Sequence, residues 1–339
     1  METAAYLLAR EFTRLGHEVT VVTMTNERGT QDSCYSFKVC RRPTKSFLFK
    51  LGRWSDVILH NHVNLYESWP LFLVCRPSLV TYQSTPPAMS CMRSLKLWLK
   101  RLLISPAAII AISRAVAEAY NSPCTTLGNP YDDTIFRIDS SAVRNRDLIF
   151  AGRLVSDKGA AEAIQALSIL RGRGLRPTLS IVGDGPEKPS LQALASQLGV
   201  NDQITFHGTK SYHQLASLLN RHNIIVVPSR WPEPFGIVAL EGIACGCVAV
   251  ASEGGGLPEA IGPCGITFPN GNIEALADCL SSLIGDPARL ASYRGLAAAH
   301  LAKYAPRSIA QRYLEAFSAV GARSRTSKLT LGKAAKSTG

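Results

Sequence analysis

The sequence predicts an α/β protein built from two doubly wound, Rossmann-like domains. Three observations carry that prediction. Both halves alternate short apolar runs with stretches of helical periodicity, the pattern of strand–helix units that make parallel sheets. The apolar runs are near-continuous rather than alternating, as in strands covered on both faces. The 339 residues suit two domains at roughly 100–200 residues each.

Taken in order, residues 3–15 place apolar side chains at 4, 5, 7, 8, 12 and 15, one face of a helix. Gly16 stops it. The β-branched run 19–24 reads as a strand, as do 57–60, 79–82 and 108–112, and a helix over about 114–121 follows the last. In the second half the expected strands are 148–151, 178–182, 204–206, 224–227 and 248–251. The helices between and after them are 160–171, 190–198, 212–220 and 236–244. One more helix is expected over 307–318. The chain therefore divides into a first domain over 1–145, a second over 146–305, a helix over 306–321 that crosses back to the first domain, and a basic, disordered tail over 322–339.

Composition narrows the function classes. A content of 46% hydrophobic and 18% charged residues is that of a globular protein, not a disordered one. The apolar segments 70–75 and 106–112 fall short of the ~18–20 residues that span a bilayer and read as buried strands or loop edges. Met1-Glu2-Thr3 opens without the basic segment and apolar core of a secretory leader. Nine cysteines, none in a Cys-x-x-Cys pair, read as reduced thiols in a cytoplasmic protein rather than as a metal site.

The net charge of +12 is unevenly spread. No acid interrupts Lys38, Arg41, Arg42, Lys45, Lys50 and Arg53. The 92–103 stretch, opening on Met92 and closing on Leu103, interleaves Arg93, Lys96, Lys100 and Arg101 with Leu95, Trp98, Leu99 and Leu102. That is a basic amphipathic helix, either an ordinary solvated face or a contact for an anionic membrane surface. Nucleic acid is not expected as a partner, because no aromatics interleave with the basic residues at strand ends as a stacking platform requires.

Ligands of doubly wound sheets bind at the carboxyl ends of the strands, so the residues just after each strand carry the functional reading. Gly152-Arg153-Leu154-Val155-Ser156-Asp157-Lys158-Gly159 follows a strand and opens a helix. Arg153 offers a planar fork and Lys158 a compact charge, both suited to phosphate oxygens. Gly183-Asp184-Gly185-Pro186 is a second glycine-rich strand end, by itself simple turn chemistry. Neither loop is the Gly-x-Gly-x-x-Gly of a nicotinamide site. The most informative run is Ser229-Arg230-Trp231-Pro232-Glu233-Pro234-Phe235-Gly236-Ile237 through Glu241. Glu233 stands in the strand-to-helix loop and Glu241 about two turns inside the helix. The helix-opening amides near Phe235, Gly236 and Ile237 suit a phosphate, and carboxylates suit sugar or ribose hydroxyls. Glu241 lies among Ala239, Leu240, Ile243 and Ala244, so it is expected to be buried and to need a partner.

The run 152–159, the 183–187 turn, the Glu-x7-Glu pair at Glu233 and Glu241, and Gly254-Gly255-Gly256-Leu257-Pro258-Glu259 stand in the same order as in retaining GT-B glycosyltransferases of family 4, which this chain resembles over most of its second half. More loosely, the first half resembles them at Gly16-His17-Glu18-Val19-Thr20, Ala111-Ile112-Ser113 and Gly128-Asn129-Pro130-Tyr131-Asp132. The resemblance implies two Rossmann-like domains facing a cleft. It implies retaining, metal-independent hexosyl transfer from a nucleotide-diphosphate sugar, a co-substrate rather than a cofactor, to a saccharide or lipid-linked acceptor, in polysaccharide or glycolipid synthesis. It places the protein in the cytoplasm, peripheral to the membrane where the basic helix binds it. Arg153 and Lys158 would hold the donor diphosphate and Glu233 the donor sugar. Glu241 would hold the ribose, and Phe235, Gly236, Ile237, Gly152, Gly183 and Gly185 would line the donor.

The chain departs from the family pattern in two places. Family members begin with a strand and a Gly-Gly loop, whereas this sequence opens at the helix that follows them, so the first domain is expected to lack its first strand. Gln83 stands where many members have a histidine, so His60, His62 and Gln83 are the acceptor-side candidates. Two rival readings remain beside transfer: a nucleotide-sugar epimerase of the same fold, and a sugar-nucleotide-binding remnant without turnover.

Overall fold

The computed structural model describes residues 2–26, 32–61, 65–74, 76–86, 108–121 and 123–334, without the side chains of 2, 33, 65–67 and 322–334. The chain forms two compact units, one of residues 1–127 with 306–339 and one of 128–305. The segment 128–145, assigned to the first domain from sequence, thus belongs to the second unit.

In the first unit, α1 (Glu2–Arg14) leads into β1 (Thr20–Thr23), which pairs in parallel with β2 (Lys38–Arg41). Next come α2 (Lys45–Trp54), β3 (Ile58–Asn61), α3 (Leu65–Phe72), β4 (Ser78–Tyr82), β5 (Ala108–Ala111), α4 (Arg114–Tyr120) and β6 (Thr125–Thr126). Strands β3 to β6 form a separate parallel sheet in that order. Among the described residues no strand joins β1 to β3.

Two expectations need correction here. The apolar run at 70–75, expected to be a strand or loop edge, begins inside α3, which takes Pro70 into its body. The tail expected to be disordered from 322 instead continues the last helix, which runs Pro306–Ala334. That segment carries Arg323, Arg325, Lys328, Leu329 and Leu331 and no proline, so helix-forming residues extend the preceding turns. The basic 92–103 stretch lies outside the described residues.

The second unit is a six-stranded parallel sheet. Its strands are β7 (Arg146–Ala151), β8 (Leu179–Val182), β9 (Ile204–Gly208), β10 (His222–Val227), β11 (Val248–Ser252) and β12 (Gly265–Phe268). The helices between them are α5 (Ala160–Gly172), α6 (Lys188–Gln197), α7 (Tyr212–Arg221), α8 (Ile237–Ala244) and α9 (Leu257–Ile261). After β12 follow α10 (Ile273–Ser281), α11 (Pro287–Gly295) and α12 (Ala297–Leu301). The sheet order is β12-β11-β10-β7-β8-β9, so the direction of winding reverses between β7 and β10. Both are buried along their lengths, with Leu148, Ile149, Ile224 and Ile225 at 1% exposure or less. The core on one face joins Ile164, Leu167 and Leu170 of α5 to Leu276 and Leu280 of α10.

The last helix, α13 (Pro306–Ala334), packs with the first unit. The buried Tyr313 hydroxyl lies 3.3 Å from Thr81 Oγ1 on β4, and its ring meets Phe12 of α1 at 6.5 Å. Removing a buried aromatic leaves a cavity that costs about 3–5 kcal/mol. Tyr313→Ala is therefore expected to lower the denaturant midpoint of the first unit by that amount while the second unit's transition stays in place. Loss of both transitions together would contradict this assignment of α13.

Candidate functional site

Reversal of winding opens a crevice at the carboxyl ends of the two strands that flank it. Here those strands are β7 and β10, and the loops that leave them bring the predicted residues together. The loop after β7 runs beside the loop after β8: Gly152 N donates to Val182 O at 3.0 Å, and Leu154 N to Asp184 O at 3.0 Å. Gly183 N in turn donates to Gly208 O at 2.9 Å, and Gly185 lies against the Leu154 carbonyl. Residues 152–154 and 183–185 are thus one paired surface, as their roles require. Arg153 is exposed, and its guanidinium makes no ion pair or hydrogen bond among the described residues.

Lys158 ends a short 3-10 turn after β7. Its Nζ meets Glu233 Oε1, from the loop after β10, at 2.5 Å. Ser229 Oγ donates to the same oxygen at 2.8 Å. Two donors therefore converge on Oε1, while Oε2 has no donor among the described residues. A carboxylate held this way keeps one oxygen for an outside hydroxyl. An ammonium with three N–H groups and one such partner keeps donors for phosphate.

The backbone sets this pair in place. Gly159 follows Lys158 at φ +76 and lies against Pro228 O, where a Cβ would overlap the carbonyl; only glycine takes that conformation and approach without strain. Arg230 N donates to Asp157 O at 2.9 Å, Gly256 N to Glu233 O at 2.7 Å, and Ser252 Oγ to Ser229 O at 2.8 Å. The Glu233 loop is thus held from the loop after β7 on one side and the loop after β11 on the other. Arg230 Nε also reaches Glu162 Oε1 on α5 at 3.1 Å. Ser229, Arg230 and Glu162 escaped the sequence reading. The first two immediately precede the Glu233 motif, which was a usable signal; Glu162 gave none.

Helix α8 opens at Gly236, at φ +108. The amides of Gly236, Ile237 and Val238 donate to no carbonyl among the described residues, leaving donors and the positive end of the helix dipole at the loop. Phe235 turns its ring inward, 2% exposed and 5.4 Å from Tyr304, so it offers the site its backbone alone. Glu241 is 8% exposed with no hydrogen bond to its carboxylate among the described residues. The segment 128–132 reaches the same helix: Gly128 packs on Phe235, and the Asp132 charge acts on Glu241.

The acceptor-side candidates belong to the first unit. His60, on β3, is buried and stacked on Phe72 at 4.9 Å. Burial lowers its imidazole to about 4, so it is neutral at physiological pH. Gln83 follows β4 and is buried. His62 lies outside the described residues. Among the described residues no cluster of His, Cys, Asp or Glu is arranged to hold a metal ion. Seven cysteines, including the buried Cys245 and Cys247, are free thiols.

Burial raises the Glu241 carboxyl to about 8, and the Asp132 charge adds to the shift. The unfolded chain releases this proton near the ordinary value of 4.5, so between the two values the folded protein binds a proton that the unfolded chain does not. Stability of the ligand-free protein then falls as pH rises through that window. Glu241→Gln is expected to flatten the fall and to stabilise the protein at about pH 8 by on the order of a few kcal/mol. Urea denaturation at about pH 5 and about pH 8 checks it; the same pH slope in both proteins would contradict it.

Residues 132–303 match the family described as "Glycosyl transferases group 1". Over 144 residues the chain is 38% identical to a glycogen synthase of Mycobacterium tuberculosis, a match covering 42% of this chain and 34% of that protein. The chain thus spans about a third of that curated relative's length. A glycosyltransferase from Rickettsia africae superposes with a TM-score of 0.79 at 18% identity, covering 94% of each chain. Anabaena HepE in complex with UDP superposes with a TM-score of 0.80 at 20% identity, covering 94% of this chain and 96% of that one. These likenesses give the chain the GT-B fold, two Rossmann-like units each built on parallel strands. On the match that spans β7 to α12 and includes the whole crevice, the chain belongs to the glycosyl transferases group 1 family.

Proposed function

We propose that the chain transfers a sugar from a nucleoside-diphosphate sugar to a saccharide or lipid-linked acceptor, with retention of the anomeric configuration and without a metal ion. The observation that carries this reading is the Lys158–Glu233 pair, held at the switch point of the second sheet beside the opening of α8. In the reaction the bond from the anomeric carbon to the diphosphate breaks, and a bond to the acceptor oxygen forms on the same face. The acceptor's proton passes to a donor phosphate oxygen. Arg153 and the free N–H groups of Lys158 offset the charge that develops on the leaving diphosphate, and the amides opening α8 add to them. Glu233 Oε2 accepts from a hydroxyl of the transferred sugar, and the Glu241 carboxylate takes the ribose hydroxyls.

The family match and the names of similar proteins support the transferase reading: the relative is a glycogen synthase, and the structural neighbour was solved with UDP. The arrangement of cations around the diphosphate supports metal independence, because two side chains and a helix opening supply the positive charge that a divalent ion would otherwise bring. On the acceptor side, His60 and Gln83 contribute through the shape of the first unit rather than by proton transfer. His60 is neutral and stacked on Phe72, and an amide does not titrate. For the 92–103 region, outside the described residues, contact with an anionic membrane surface is the corresponding proposal, with action at the inner face of the membrane.

Glu233→Ala, Lys158→Ala and Arg153→Ala are each expected to lower turnover by about 100-fold or more, the scale for removing one preorganised charge-stabilising group. Circular dichroism checks that each variant folds. Lys158→Ala and Arg153→Ala are also expected to weaken binding of the nucleoside diphosphate product, whereas Glu233→Ala leaves that binding nearly intact because it contacts the sugar. Wild-type turnover in all three folded variants would contradict the site.

A further inference from the structure

We propose that the outer face of α2, with the adjoining end of α3, is a docking surface for an anionic lipid bilayer. The α2–α3 pair is closed on its inner side. Leu48 and Gly52 are buried, and a Cβ on Gly52 would stand 2.8 Å from Val74 Cγ2 and 3.1 Å from Leu71 Cδ2. Leu48 and Gly52 thus turn inward, and the rest of α2 faces out. Phe47, Lys50 and Trp54 follow at spacings of three and four residues, one stripe along a helix. Phe49 and Arg53, again four apart, flank it.

The aromatic residues on this stripe are exposed to an unusual degree for side chains of their size. Trp54 is 50% exposed and Phe47 45%; on α3, Trp69 is 47% exposed, and Leu73, one turn further on, is 61% exposed. Large apolar groups clustered on one face mark an interaction surface, whereas scattered ones need no explanation. The charge on this face is of one sign. Lys50 and Arg53 make no ion pair among the described residues, Arg76 donates to the Arg53 carbonyl at 2.5 Å, and no acid occurs between Asp32 and Asp56.

Aromatic and basic residues interleaved on a convex helix fit a lipid interface. The rings enter the headgroup–acyl boundary and the long basic side chains reach back to the phosphates. A protein partner would have to bring its own acidic, apolar groove. A nucleic acid would need a basic channel along which bases stack, and α2 offers a ridge. This surface lies apart from the crevice of the second unit, so the proposal stands whether or not the donor-pocket reading does.

The test is co-sedimentation of the full chain with phosphatidylcholine vesicles, with and without phosphatidylglycerol. The wild type is expected to pellet with the anionic vesicles, less so at high salt, and only weakly with the neutral ones. Phe47→Ser/Trp54→Ser and Lys50→Glu/Arg53→Glu are each expected to reduce partitioning about tenfold or more. Both pairs are surface substitutions, so the thermal midpoint and the affinity for a nucleoside diphosphate should stay at wild-type values. The proposal is overturned if the wild type does not pellet, if neutral and anionic vesicles bind equally, or if both variants bind as the wild type does. Tighter binding to RNA that only the charge variant weakens would also overturn it.

Discussion

The site in the second unit depends on how closely neighbouring strand-end loops approach through their backbones. The carbonyl of Pro228 occupies the space that a side chain at position 159 would need, and the carbonyl of Gly152 does the same at position 183. Such contacts are open only to glycine. They draw the loops after β7, β8 and β10 into one layer, so that Lys158 and Glu233, 75 positions apart in sequence, stand within bonding distance. With larger residues at these points the loops would separate and the pair would part, whatever happened to the strands beneath. Charge comes next in importance. A lysine and a carboxylate that are mostly buried hold each other in their ionised forms, and Ser229 fixes which oxygen the lysine uses.

The elements beneath this layer explain why it is rigid. Strands β7 and β10 are the most enclosed of the sheet, and each sends its following loop to the switch point. The Glu233 loop is tied on both flanks by Asp157 and Gly256 and is anchored again where Arg230 reaches Glu162. Polar groups at the mouth of a parallel sheet would otherwise compete for water. Here each bond to the loop's backbone also limits where the Glu233 side chain points. Glu241 occupies a different environment, buried, protonated over much of the physiological range, and close to Asp132. In this state it costs the ligand-free protein stability that a hydroxyl-bearing ligand would recover, an arrangement typical of functional carboxylates.

Much of the second unit could be read from the sequence because its strands are apolar on both faces and its helices begin after glycine-marked turns. Strands β7, β8, β10 and β11 and helices α5 and α8 fall within a few residues of their expected positions. The features that escaped had weaker local signals. β2 is four residues, Lys-Val-Cys-Arg, with no apolar periodicity. β12, Gly-Ile-Thr-Phe, is equally short. α3 contains a proline within an apolar run, and this favoured a strand or loop edge. The segment 128–132 was placed in the first domain on sequence order alone, although its packing on Phe235 joins it to the second unit. The candidate residues of the crevice were visible from their positions at strand ends. Their pairing was not, because the Lys158–Glu233 contact and the effect of Asp132 on Glu241 follow from which strands adjoin in the sheet. His60 shows the reverse case: its position near a strand end suggested access, but Phe72 covers the ring.

The central claim is that the crevice at β7 and β10 grips a nucleoside-diphosphate sugar. Calorimetric titration of the full chain with UDP-, GDP- and ADP-sugars addresses it most directly. The account predicts saturable one-to-one binding of at least one of them, with inorganic pyrophosphate competing and the free nucleoside binding far more weakly. If none of the three binds more tightly than about millimolar, or if the nucleoside alone binds as well as the diphosphate sugar, the assignment of Arg153 and Lys158 to the diphosphate is contradicted.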